Sequence, residues 1–177
     1  MTGSMTVIGH ILTGTAIGVV CMPRRWSVPA KAMLIGVFVL LADLPDIAHL
    51  VGLPKGPTHS LLLNALAAGI LVAAPALWPS GRRRLGGWIV TIGAAVALLS
   101  HLLLDSFYNH RQGVHVDWPF GGYRLNLAMP WFEPIRGGWP AHPHAGRIAA
   151  YELIAYGSLL AVCVLGRWLV LRRRQRG

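Results

Sequence analysis

Long apolar runs separated by short polar segments dominate the chain. A helix that crosses a hydrocarbon core of about 30 Å needs about 20 apolar residues, so each run is a candidate membrane span. The pattern predicts five helices, over residues 7–22, 31–51, 59–78, 86–108 and 149–171, of which the first is short. Pro45 interrupts the second run, and we expect that helix to end or kink between Asp43 and Asp46.

A long segment without a helical pattern, residues 109–148, separates the last two runs. Its prolines, glycine pairs and aromatic residues argue against a regular soluble domain and favour a lid or a partly embedded cap. We therefore predict one membrane domain over residues 1–177. Its fold class is all-α: a polytopic integral membrane bundle of about five transmembrane helices, with a long aromatic and proline-rich outer loop.

The composition agrees with a membrane protein. Hydrophobic residues make up 54% of the chain and charged residues 12%, about half the charged fraction of a typical soluble domain. The net charge of +10 comes from basic clusters between the apolar runs. Such clusters fit anionic lipid headgroups better than nucleic acid, which we do not expect as a partner.

The distribution of basic residues predicts the orientation, because Lys and Arg accumulate on the cytoplasmic side. No basic residue precedes the first run, which argues for a retained helix rather than a signal peptide. With five spans, the N-terminus lies outside and the C-terminus inside, and four tryptophans lie at the inner boundary. The inner side then receives Arg24, Arg25, Lys31, Arg82, Arg83, Arg84, Arg172, Arg173, Arg174 and Arg176, and the outer side Lys55, Arg111, Arg124, Arg136 and Arg147.

A histidine and an aspartate share one helical face in the fourth run. His101 and Asp105 are four residues apart, so an imidazole and a carboxylate can point at one ion. These residue types suit zinc or a similar divalent metal, with Mn²⁺ and Mg²⁺ as alternatives. A structural His–Asp hydrogen bond explains the pair equally well on its own. Ionisable groups in a membrane span are costly and usually functional, which favours the metal.

Further His and Asp residues lie at the predicted outer ends of the other helices. An interfacial position explains where they lie but not why His and Asp recur there. The predicted metal ligands are His10, Asp43, Asp46, His59, His101 and Asp105, and additional or supporting residues are His49, His115 and Glu152. Thr58 is a possible N-cap for a third helix that begins at His59. The pattern leaves open whether Asp43 or Asp46 binds the metal.

An ordered set of motifs resembles the YdjM-type family of bacterial inner-membrane, metal-dependent hydrolases. The resemblance covers residues 9–120. Its motifs are Gly9-His10 with Thr13-Gly14, Leu44-Pro45-Asp46-Ile47, the segment Gly56–Leu61, His101 with Asp105, and Gly113-Val114 followed by Trp118-Pro119-Phe120. The resemblance implies a multi-pass protein of the bacterial inner membrane. It also implies a distant similarity to zinc-dependent phospholipase C, with His10, Asp46, His59, His101 and Asp105 as ligands.

The function expected from this resemblance is hydrolysis of a phosphoester at the outer face of the membrane. The substrate would be a phospholipid or another lipid-linked phosphoester, and the cofactor one or more divalent ions. We expect Asp46 or Asp117 to act as the general base, and Arg111 or Arg124 to bind phosphate. The alternatives are a non-enzymatic metal-binding or ion-handling protein and a structural partner. An intramembrane metalloprotease is disfavoured because the sequence contains no HExxH motif.

Overall fold

The structure is a computed structural model that describes residues 7–108, 114–127, 129, 132 and 143–176. Within these ranges the chain is mostly helical, as predicted, and two short strands form one antiparallel ribbon. Val114 pairs with Leu125, and His115 with Arg124. The elements are α1 (Val7–Cys21), α2 (Val28–Leu50), α3 (Lys55–Thr58), α4 (Leu61–Leu77), α5 (Pro79–Arg84), α6 (Trp88–Phe107), β1 (Val114–His115), β2 (Arg124–Leu125) and α7 (Ala145–Arg176).

Three helices, α2, α6 and α7, are long and apolar enough to cross a membrane. Helices α1 and α4 are also apolar, but they have 15 and 17 residues, or about 22 and 26 Å at a rise of 1.5 Å per residue. Both are shorter than a hydrocarbon core of about 30 Å. The described chain thus has three candidate spans, and the count of five stays a prediction.

The helix boundaries differ from the predicted runs at two places. Helix α2 continues through Pro45 to Leu50, so the chain does not leave the helix between Asp43 and Asp46. The third long helix begins after Ser60, whose side chain accepts a hydrogen bond from the backbone N–H of Leu63. The prediction of Thr58 as an N-cap is therefore wrong, because residues 55–58 form the separate short helix α3.

Helix α6 lies at the centre of the bundle and packs against α1, α2 and α4. Helix α1 packs against α2 and α7 as well. The α1–α2 contact is close because Gly14 has no side chain: a Cβ there would lie 2.8 Å from the carbonyl oxygen of Phe38 and 2.8 Å from Cα of Val39. The position of α1 against α2, and so of every side chain on α1, depends on this glycine.

Gly14→Ala is expected to destabilise the fold by about 1–3 kcal/mol, because the added methyl group meets the α2 backbone and the helices must separate. Gly36 is a matched control in α2, since no described atom lies within 4 Å of a Cβ placed there. Gly36→Ala should be neutral or mildly stabilising. Unfolding of the purified variants in detergent measures both effects. Equal stability of the two variants would contradict the close approach.

The β1–β2 ribbon is tied to the start of α4 and the end of α6. The N–H of Leu61 at the start of α4 donates to the carbonyl oxygen of Val116 at 2.9 Å. The N–H groups of Leu127 and Met129 donate to the carbonyl oxygens of Ser106 and Phe107 at the end of α6, both at 2.8 Å. These bonds satisfy backbone groups that a helix end leaves open. They also place the described part of the predicted loop beside the segment that carries His59.

Candidate metal centre

Five side chains from four parts of the chain meet between the helices. His10 lies on α1, Asp46 on α2, His59 between α3 and α4, and His101 and Asp105 on α6. Four of them are buried, with exposed fractions of 5% or less. The side chain of Asp46 is 31% exposed, so the cluster opens at Asp46. These are the five ligands that the family resemblance implies.

Asp105 is at the centre of the cluster. Its Oδ1 lies 3.2 Å from Nε2 of His10, and its Oδ2 lies 3.4 Å from Nε2 of both His59 and His101. Each carboxylate oxygen therefore faces a different part of the histidine set. The i, i+4 spacing of His101 and Asp105 on one face of α6 produces the contact between them.

Asp46 lies at the exposed side of the cluster. Its Oδ1 lies 3.2 Å from Nε2 of His59 and 3.9 Å from Nε2 of His101. The Nε2 atoms of His59 and His101 are themselves 3.4 Å apart. Both imidazole nitrogens therefore lie within 4 Å of a carboxylate oxygen of Asp46 and of Asp105.

The backbone of α2 orients the ring of His101. Nδ1 of His101 lies 2.7 Å from the carbonyl oxygen of Ala42. A carbonyl only accepts, so Nδ1 carries a proton, and Nε2 is the nitrogen that faces the cluster. Pro45 has no N–H for the carbonyl of Leu41, one residue before Ala42. His101 of α6 thus donates a hydrogen bond to the α2 backbone close to Pro45, where the helix lacks one of its own hydrogen bonds.

Thr58 orients the ring of His59. Its Oγ1 lies 2.8 Å from Nδ1 of His59, and its hydroxyl donates to the carbonyl oxygens of Pro54 and Lys55 at 3.2 and 3.3 Å. With the hydroxyl proton on these carbonyls, Oγ1 is able to accept from Nδ1 of His59. Nε2 of His59 faces Nε2 of His101 at 3.4 Å. A ring held through one nitrogen while the other faces the site is the arrangement expected of a metal ligand.

Thr58→Val is expected to weaken metal binding about 10–100-fold, because the acceptor that orients His59 is lost while the ligand itself remains. Thr58→Ser keeps the hydroxyl and should bind metal almost as the wild type does. Competition with a chromophoric chelator measures the affinity of both variants. Identical weakening in the serine and valine variants would show that the methyl group matters instead of the hydrogen bond.

His10 completes the cluster from α1. Its ring stacks on that of His101, with centroids 4.3 Å apart and planes at 16°. Its Nδ1 has no hydrogen-bond partner among the described residues, and its Nε2 has the contact of 3.2 Å with Oδ1 of Asp105, which misses hydrogen-bond geometry. Buried polar groups are normally paired, so these atoms are candidates for an ion.

The donor set fits a divalent cation. Two overlapping groups, His10 with Asp46 and His101, and His59 with His101 and Asp105, each offer ligand atoms within 4.8 Å of one another. Imidazole nitrogens with carboxylate oxygens suit zinc and other transition metals better than an all-oxygen site would. The shared histidine makes this one centre rather than two separate sites.

Other predicted residues lie outside these two ligand groups. Asp43 is buried on α2, but only Asp46 of the two aspartates belongs to a ligand group. Nδ1 of His49, near the end of α2, donates a hydrogen bond to the carbonyl oxygen of Leu53 at 3.0 Å. Glu152 is fully buried and accepts hydrogen bonds from Tyr108 and from the N–H of Gly9. It therefore holds α1 next to His10 and acts in support.

The predicted loop residues lie on or near the ribbon. His115 is on β1 opposite Arg124 on β2, so their side chains share one face. Asp117 holds the turn between the strands, because its Oδ2 accepts from the N–H of Tyr123 at 2.8 Å. Neither His115 nor Asp117 belongs to the two ligand groups. Arg111 lies outside the described residues.

The sequence analysis did not identify three features that support the cluster. The hydrogen bond from His101 goes to a backbone carbonyl, which no residue type indicates, and Thr58 was interpreted as a helix cap. Asn64 could have been identified, because it is a lone polar residue in an apolar run. Its Nδ2 donates to the carbonyl oxygens of Thr58 and Ser60, both at 2.8 Å. Asn64 thereby anchors the segment that carries His59.

Apolar helices around a buried His/Asp cluster define the class: a polytopic membrane protein with a candidate metal centre. The YdjM inner membrane protein family matches residues 5–173, and the chain belongs to this family. The match confirms the predicted family and the inner-membrane location, and it extends beyond the motif-bearing residues 9–120. No curated protein and no solved structure matched the chain.

Proposed function

We propose that the protein is a membrane-embedded, metal-dependent hydrolase that cleaves a phosphoester in a lipid headgroup. The observation that carries the proposal is the buried cluster in which Nε2 of His59 and Nε2 of His101 both face the carboxylates of Asp46 and Asp105. The Nδ1 atoms of the two rings bond Thr58 and the Ala42 carbonyl, outside the cluster. This leaves both Nε2 atoms available as ligands for a cation.

His10, His59, His101, Asp46 and Asp105 would hold the cation, with zinc favoured by the histidine content and Mn²⁺ and Mg²⁺ as alternatives. A bound divalent ion would supply Lewis-acid activation of water and stabilise negative charge on phosphate oxygens. Hydrolysis then adds water across the ester. The water oxygen forms a bond to phosphorus, the bond from phosphorus to the alcohol oxygen breaks, and the alcohol leaves with a proton.

Asp46 is the best placed residue to take a proton from water, because it is the only partly exposed member of the cluster. Its contacts with His59 and His101 are made through Oδ1. Asp117 is the second candidate base. Arg124, with Arg111, is the candidate phosphate-binding residue, since a guanidinium can bind two phosphate oxygens at once.

We also propose that all five long helices cross the membrane, with the N-terminus outside and the centre facing the outer side. The tally of Lys and Arg supports this orientation. Helices α1 and α4 would then cross a locally thinned bilayer, since both are short. Trp26 lies beside Gly86. The turn between α1 and α2 therefore contacts the turn before α6. This contact supports a position of the two basic turns on the same side of the membrane.

The test is hydrolysis by the purified chain in nanodiscs of palmitoyl-oleoyl phosphatidylglycerol loaded with Zn²⁺ or Mn²⁺. A phospholipase C-type reaction yields diacylglycerol, which mass spectrometry quantifies. We expect Asp46→Asn to lower the rate at least ~100-fold, as loss of a general base does. His49→Ala removes a nearby histidine outside the cluster and should retain the rate. No product from metal-loaded wild type on glycerophospholipids or on phosphatidic acid would refute the proposal.

A further inference from the structure

An apolar groove runs along the outside of the bundle between α1, α6 and α7. Its volume is about 590 Å³, within the range of small-molecule sites. Its walls are aliphatic apart from the thiols of the two cysteines, and several wall residues are half exposed. They include Ile17 and Val20 of α1, Ile92 and Val96 of α6, and Leu159 and Cys163 of α7.

The groove begins close to the metal centre and leads away from it. Val96 precedes His101 by five residues and Ile89 precedes it by twelve, or about 7.5 and 18 Å along α6. On α1, Ala16 follows His10 by six residues, or about 9 Å. One leaflet of the hydrocarbon core is about 15 Å deep. The groove therefore covers the depth that the chain of a lipid would occupy with its headgroup at the centre.

Thr13 lies between the two sites. It is three residues after His10 and four before Ile17, so the three residues share one face of α1. Its side chain is 6% exposed, and its Oγ1 has no hydrogen-bond partner among the described residues. A buried hydroxyl without a partner is unusual. Thr13 lies between a polar centre and an apolar groove, and the ester linkage of a lipid likewise lies between its polar headgroup and its acyl chain.

We propose that the groove holds one acyl chain of the lipid whose phosphoester lies at the metal centre. The inference rests on the proposed function and specifies its substrate as a lipid with a long chain. Helices α6 and α7 are candidate membrane spans, so hydrocarbon is what surrounds the groove. The hydroxyl of Thr13 donates to an ester oxygen of the bound lipid.

The experiment counts the lipid that stays bound to the full chain. The protein is purified in mild detergent from nanodiscs of palmitoyl-oleoyl phosphatidylglycerol and examined by native mass spectrometry. We expect about one retained lipid per wild-type chain. Ile92→Trp and Val96→Trp fill the groove and should lower this occupancy at least ~tenfold, since every displaced methylene weakens binding. Both residues are about half exposed, so the larger ring is tolerated by the fold.

Ile70→Trp is the matched control, because Ile70 is exposed on α4 and does not line the groove. It should retain lipid as the wild type does. Equal occupancy in all variants, or no retained lipid in the wild type, would overturn the proposal. A wild-type dimer that Val96→Trp dissociates would overturn it too, since a second copy would then cover the groove.

His101→Ala separates this proposal from the proposed function. The variant should lose metal and keep the lipid, because His101 is not a groove residue. If the groove variants lose the lipid while the wild type hydrolyses no phosphoester, the groove stands and the hydrolase proposal fails. If the groove variants keep the lipid and hydrolyse long-chain and short-chain lipids at wild-type rates, the groove proposal fails alone.

Discussion

His101→Ala is expected to remove stoichiometric metal from the protein. His101 belongs to both ligand groups of the cluster, so its loss leaves at most two ligands in each. Its Nδ1 bonds the Ala42 carbonyl, so Nε2 is the nitrogen that faces the cluster. We expect the affinity for metal to fall at least ~100-fold, which exceeds the ~10–100-fold effect of losing a residue that only orients a ligand. Elemental analysis of the protein after dialysis measures the metal.

His49→Ala is the matched control for this prediction. It removes an imidazole from the end of α2 that bonds the Leu53 carbonyl and belongs to neither ligand group. It should keep the wild-type metal content. Circular dichroism establishes that both variants remain helical. Full metal content in a folded His101→Ala protein would contradict the assignment of the centre.

Asp105→Asn is expected to make the protein insensitive to chelators. Asp105 lies within 3.4 Å of all three histidines, and an amide in its place neither balances a cation nor offers two acceptor oxygens. A ligand at 100–1,000 times its dissociation constant stabilises a fold by about 2.7–4.1 kcal/mol. A chelator should therefore lower the melting temperature of the wild type and leave that of Asp105→Asn unchanged.

The same measurement tests whether the cluster serves only to lock the helices together. In that case Asp105→Asn would still lower the melting temperature, because it breaks contacts to buried histidines. The chelator, however, would have no effect on the wild type. Metal-free wild type and Asp105→Asn compared side by side separate the two contributions.

The sequence predicted the cluster better than it predicted the helix ends. His and Asp are costly in apolar helices, which singled out six candidate ligands with Asp43 among them. The family resemblance then implied the five residues that form the cluster. The choice between Asp43 and Asp46 was not predictable, because the two are three residues apart at the same end of α2. Only the packing of α2 against α6 and His59 places Asp46 in a ligand group.

The error at Thr58 has a local cause. The segment flanked by Pro54 and Pro57 has a sequence typical of a turn. In the structure, however, Pro54 is the N-cap residue of the short helix α3. That extra helical turn moves the start of α4 to Leu61 and leaves His59 between two helices. The hydrogen bonds that orient His59 and His101 involve backbone carbonyls and one hydroxyl, and these partners are decided by tertiary packing that no pattern of side chains encodes.

Helix α1 is held at both ends by the helix that is synthesised last. Glu152 accepts from the N–H of Gly9, and Arg167 donates to the carbonyl oxygens of Val20 and Met22. All five cluster residues precede α7 in the chain, but the hydrogen bonds that hold both ends of α1, and so His10, form only when α7 has been translated and has packed. Biosynthesis therefore separates the appearance of the ligands from the completion of their geometry. A ribosome-bound chain that ends before α7 should not yet retain metal.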